Sequence, residues 1–113
     1  MRRLQIALLV VSLAATHAHS ITIAENGQPV AQIVVAENGT VAETHAASEL
    51  ADYLGRMAGC EFAVSDTADG PAVYVGPTDR AGAAGIDAGA LDREEWIVRT
   101  NGDDLIVLGG RPR

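Results

Sequence analysis

Lysine is absent from this chain, and arginine alone supplies its permanent positive charge. Fifteen acidic residues stand against eight arginines, for a formal net charge of −7. Nucleic acid and anionic membranes both select clustered positive charge, so neither is expected as a partner. The acids are scattered, with no D-x-D-x-D-G loop or comparable cluster, and they read as solvated surface charge rather than a cation site. Cysteine occurs once, at Cys60, which excludes an internal disulfide and leaves stability to the core. Set between Gly59 and the apolar Phe62 and Val64, Cys60 reads as a small buried residue. A thiolate nucleophile needs a positioned base, and no spacing ties His45 to it. Aromatics are scarce as well: Tyr53, Phe62, Tyr74 and Trp96 are the full set, too few for a carbohydrate platform of exposed rings. Trp96 stands apart because its run begins beside charged residues, which leaves a sugar-stacking or interdomain role open to it. Length is a further shortage, since 113 residues make one domain and fall far below the roughly 250 of an α/β barrel enzyme.

Residues 1–20 join Arg2 and Arg3 to an apolar run from Ile6 to Ala15 and then to small residues, the form of a secretory signal peptide. The run is too short to span a bilayer, so no membrane association is expected after cleavage, near Ala18 or Ser20. Losing two of the eight arginines moves the net charge from −7 to −9. The expected mature domain covers residues 21–113, in a secreted or periplasmic setting.

Thr40 to Gly59 is the one long helix the sequence predicts. Thr40 and Glu43 have capping-box spacing, and Gly59 suits a left-handed C-terminal cap. Ala46, Ala47, Leu50, Ala51, Leu54, Met57 and Ala58 recur at three- and four-residue spacings and predict the buried face. Asp52 and Arg56 have ion-pair spacing. Strands are expected at Ile21–Ala24, Val30–Val35, Glu61–Ser65, Ala72–Val75, Trp96–Arg99 and Leu105–Leu108. The first two are expected to pair through Asn26-Gly27 and the last two through a turn centred on Asn101-Gly102. From Thr78 to Asp92 the chain is rich in Ala, Gly and Asp and predicts at most a short helical turn near Gly89 to Asp92. The segments ITIAENG and IVVAENG look alike but lead into a strand and a helix respectively, so they are not read as a repeat. Asn38-Gly39-Thr40 spells a glycosylation acceptor, relevant only in a eukaryotic secretory pathway.

Near-continuous apolar strands such as IVV, VYV and LIVL need cover that one helix cannot fully give. The sequence ends in Gly109-Gly110-Arg111-Pro112-Arg113, directly after such a strand, and reads as a truncated gene product or fragment. Alone, such a chain is expected to be dimeric or aggregation-prone.

Three elements carry a resemblance: the A-A-x-E-L-x-x-Y-L helix (Ala46, Ala47, Glu49, Leu50, Tyr53, Leu54), the strand end at Val75-Gly76, and the closing hairpin with Gly109-Gly110. In order and spacing the chain resembles the N-terminal non-catalytic domain of bacterial α-glucuronidases and β-N-acetylhexosaminidase-like glycoside hydrolases. The resemblance implies an α+β two-layer sandwich, a mostly antiparallel sheet of about six strands on one long helix, with a second helix missing by truncation. It also implies that the catalytic carboxylates lie in the barrel that follows, so no catalytic residue is carried onto this chain. No cofactor or metal is expected. The partners implied are that barrel, absent here, and a polysaccharide.

The residues themselves agree with that assignment of no site. Glu94 and Glu95 are sequence neighbours, so on a strand they point to opposite faces and cannot flank one glycosidic bond. His45 lies alone beside the apolar stripe and reads as a packing or hydrogen-bonding residue. Gly109-Gly110-Arg111 lacks the spacing of a phosphate loop and reads as a turn. Two functions from different classes follow. One is an accessory domain of a secreted glycoside hydrolase in polysaccharide degradation; the other is a free-standing carbohydrate-binding or adaptor module.

Overall fold

The structure, a computed structural model, describes residues 20–111. The expected signal peptide lies outside the described residues, apart from Ser20. A two-residue ribbon opens the described chain, β1 (Ala24–Glu25) paired antiparallel with β2 (Gln28–Pro29). Its turn has Asn26 at φ 51° and Gly27 at φ 72°, the two left-handed residues that Asn-Gly supplies. The expected turn therefore forms, but the strand pairing expected across it, Ile21–Ala24 with Val30–Val35, does not. The apolar run beyond it, β3 (Gln32–Val35), leaves the ribbon and enters a second sheet.

That second sheet holds β3, β4 (Val64–Ser65), β5 (Ala72–Val75), β6 (Trp96–Asn101) and β7 (Asp104–Gly109) in the order β4-β3-β5-β7-β6. β3 runs parallel to β4 and to β5, and β5 runs parallel to β7; only β6 and β7 pair antiparallel. The expectation of a mostly antiparallel sheet is thus corrected to a mixed, mainly parallel one. The cause is visible in the strands themselves. Ala72–Val75 is buried at every position, with no alternation of apolar and polar residues. A strand apolar on both faces needs cover on both, and that is the signature of parallel sheets.

On one face lies α1 (Val41–Ala58). Its start is the expected capping box: the Thr40 hydroxyl accepts from the Glu43 amide at 3.2 Å, while the Thr40 amide donates to Glu43 Oε1 at 3.1 Å. Gly59 ends it at φ 69°. Ala47, Leu50, Ala51, Leu54 and Ala58 pack against Ile33, Val35, Val75 and Phe62. Ala46 and Met57, expected in that stripe, are exposed, Met57 at 82 %. They sit on the flanks of a face that packs on β3, β4 and β5.

The other face is covered as well, by α2 (Asp79–Ala83) and a 3-10 turn at Ala88–Ala90. Ala81 and Ile86 are buried there against Val34, Tyr74, Ile106 and Leu108. The structure is therefore a two-sided α+β fold rather than a two-layer sandwich. α2 is distinct from the helix that the resemblance places after the double glycine. Five residues including Gly82 carry too little periodicity to predict a helix; Thr78, whose hydroxyl accepts from the Ala81 amide, is the one signal for it. The closing hairpin forms as expected, though its turn is shifted by one residue. Asn101 pairs with Asp104, and Gly102 takes the first turn position at φ 61°.

Candidate functional site

Two surfaces stand out, an apolar groove and a polar crevice. The groove lies between the first turns of α1 and the β6–β7 hairpin, with a volume of about 620 Å³. Val75 and Val107 form its base, and Val41, Ala46 and Trp96 its sides. It exists because α1 spans β3 and β5 but leaves β7 and β6 bare on the same face. Val98 and Trp96, which pair with Val107 and Gly109, therefore look into solvent, Trp96 at 73 % and Val98 at 54 % exposure. Val41 faces them from α1 at 88 %.

One end of the groove is closed by a salt bridge. Arg111 Nε donates to Glu43 Oε2 at 2.9 Å and Arg111 Nη2 to Glu43 Oε1 at 2.7 Å. The same carboxylate caps α1 and sits over Gly76, where a Cβ would come within 3.2 Å of the Glu43 side chain. Arg111, together with the Thr40 contacts, holds the Glu43 carboxyl below its ordinary range, against the opposing effect of partial burial. Glu43 in turn raises the Arg111 guanidinium.

The crevice opens at the carboxyl ends of β3, β4 and β5, with a volume of about 810 Å³. α1 leaves β3 over one face, whereas α2 leaves β5 over the other. Two neighbouring parallel strands whose connections diverge in this way leave a gap beyond their ends, the place where open α/β sheets bind ligands. Val34, Ala36, Tyr74 and Pro77 give it apolar walls. Glu37 and Asn38 enter from the β3 loop, Asp66 and Thr67 from the β4 loop, and Asp79 and Arg80 from α2. Arg80 lies over the Tyr74 ring at 5.5 Å and reaches Asp104 at 3.6 Å. Reading the sequence alone missed this set, because only a parallel arrangement brings the three loops together.

The residues singled out in the sequence do not converge. Glu94 is exposed in the turn before β6, and Glu95 Oε2 accepts from the Asp92 amide at 2.7 Å, closing that turn. They precede the strand rather than lying on it. His45 is exposed on α1, and Cys60 is half-buried at the edge of the α1 core. Gly110 is fixed by packing, since a Cβ there would overlap the Asp92 carbonyl, and Arg111 is engaged by Glu43. Among the described residues no group of three or more His, Cys, Asp or Glu is placed to hold a metal ion, and no helix is long and apolar enough to cross a membrane.

No protein-family model matches the chain, and no curated protein or solved structure matches it.

Proposed function

We propose that this chain is a non-catalytic accessory domain of a secreted or periplasmic glycoside hydrolase, of the α-glucuronidase or β-hexosaminidase-like kind. In this reading its role is to support and orient a catalytic barrel that acts on polysaccharide. The observation that carries it is the bare apolar groove flanked by Val41, Trp96 and Val98, beside a set of candidate catalytic residues that do not meet. An exposed tryptophan over a groove based on Val75 and Val107 is what a surface awaiting a partner requires. Interdomain contact is then the role of Trp96, and the catalytic carboxylates belong to the barrel.

The decisive experiment reads the coding sequence after Arg113. An open frame continuing into a helix and a barrel is the expected result. A stop codon directly after Arg113 in an intact short gene would overturn the proposal.

A further inference from the structure

We infer that β6, the long free edge of the five-stranded sheet, pairs antiparallel with β6 of a second copy of this chain, in the register that sets Ile97 opposite Ile97. The inference goes beyond the accessory role and does not depend on it, because it uses the edge of the strand rather than the floor of the groove. The order β4-β3-β5-β7-β6 leaves two edges. At one of them β4 is only two residues long and offers little to pair with. At the other, the six residues of β6 match β7 one for one without a bulge and include neither proline nor lysine. Bulges, prolines, lysines and short strands are what blunt an edge, so β6 stays open. Which of its backbone groups are free follows from the ladder. The Gly110 amide donates to the Glu95 carbonyl at 2.9 Å, while the Val107 carbonyl accepts from the Gly76 amide, on the β5 side, at 2.8 Å. Antiparallel partners exchange bonds at alternate positions, so Ile97, Arg99 and Asn101 bond to β7, and Trp96, Val98 and Thr100 turn their N–H and C=O groups outward.

Side chains on β6 alternate as well. Trp96 and Val98 stand on the α1 face, whereas Ile97 packs against the cluster under α2 and Arg99 shares its side. About a two-fold axis at Ile97, Trp96 of each strand meets Val98 of the other, and the outward N–H and C=O groups of the two are exchanged. An aromatic ring then lies against a β-branched side chain at both ends. On the opposite face Arg99 meets Glu95 of the second copy. Among the described residues Arg99 forms no ion pair, and Glu95 spends only Oε2 on the Asp92 amide, which leaves its other oxygen for a guanidinium. A second copy is therefore the occupant this edge fits: apolar positions meet apolar ones, and the cation meets an anion. An axis at Val98 would instead set Trp96 against Thr100 and Arg99 against Ile97, losing both matches.

The test is sedimentation equilibrium of the full chain and of charge variants. A reversible dimer is expected for the parent. Arg99→Glu sets acid against acid and Glu95→Arg sets arginine against arginine, so each variant alone should dimerise about tenfold or more weakly. An equimolar mixture of the two variants should regain the dimer, because the mixed pair has a cation opposite an anion at both ends. Val98→Pro removes an outward N–H that β7 does not use, a change an edge strand tolerates. It should abolish the dimer with an unchanged circular dichroism spectrum. Amide exchange in the dimer should be slowed at Trp96 and Val98 and not at Thr100. A parent still monomeric at about 1 mM, no recovery in the mixture, a dimer that survives Val98→Pro, or protection at Thr100 would overturn the inference. None of these results touches the downstream reading frame, so the two proposals fail separately.

Discussion

Glu43 and Arg111, 68 residues apart, form a two-pronged ion pair that ties the end of β7 to the first turn of α1. Through this pair one carboxylate caps the helix, covers Gly76 and anchors the C-terminal strand. Its removal therefore acts on three elements at once.

Acid should loosen this tie. The folded-state pKa of Glu43 lies below its unfolded value, so the unfolded chain binds the proton more readily. The contribution is complete above the ordinary glutamate pKa of about 4.3 and is lost as pH falls through the lowered folded value. With half of the Arg111 side chain exposed, the ion pair itself contributes no more than about 1 kcal/mol. Glu43→Ala also removes half of the capping box and should cost about 1–2 kcal/mol near neutral pH. Urea unfolding from pH 3 to 7 is the measurement: Arg111→Ala should flatten the acid limb, and an unchanged limb would show that the pair does not form in solution.

Two glycines should respond in opposite directions to alanine. At Gly110 the added carbon would overlap the Asp92 carbonyl, which is backbone and cannot turn aside. A loss of about 2 kcal/mol or more is expected. Gly82 lies inside α2 with open space around it, and alanine there should stabilise by about 0.5–1 kcal/mol through helix propensity and a stiffer unfolded chain. Melting temperatures of the two variants moving the same way would contradict this placement.

The core should yield its largest losses in the sheet rather than in the long helix. Ile33 and Ile106 are completely buried, and truncating either to alanine should cost about 2–5 kcal/mol. Leu50 and Leu54 are only half-buried, so Leu50→Ala or Leu54→Ala should fall near about 1–2 kcal/mol. Met57→Ala, at a residue 82 % exposed, should stay within about 0.5 kcal/mol of the parent. Chemical denaturation of the set would show the order directly.

Local signals in the sequence were largely legible and the long-range arrangement was not. Thr40, Glu43 and Gly59 specify both ends of α1 because capping is settled within a few residues. Asn26-Gly27 sets its turn for the same reason. Strand direction is different, since no local residue encodes the neighbour of Ala72–Val75. Its lack of alternation is the mark of a parallel, doubly covered strand but was read only as a need for cover, and the family resemblance pointed to an antiparallel sheet. With the direction misread, the loops after β3, β4 and β5 had no reason to share one end of the sheet. Glu37, Asp66 and Asp79 then looked like scattered charge. Trp96 was the exception, because charged neighbours before its strand had left a role outside the core open to it.

Trp96 is also the most direct probe of the groove. It is the sole tryptophan, so its fluorescence reports one place, and at 73 % exposure it should be freely quenched by acrylamide in the isolated chain. An unshielded strip of Val41, Trp96 and Val98 should also drive self-association, which apolar exposure of this kind promotes. Trp96→Ser combined with Val98→Thr should reduce that association while leaving unfolding cooperative, because neither side chain enters the core clusters. If a downstream domain docks here, a longer product that includes it should protect Trp96 from quenching and shift its emission to shorter wavelength. Quenching that is equally efficient in the longer product would place the docking surface elsewhere and remove the observation on which the accessory-domain proposal rests.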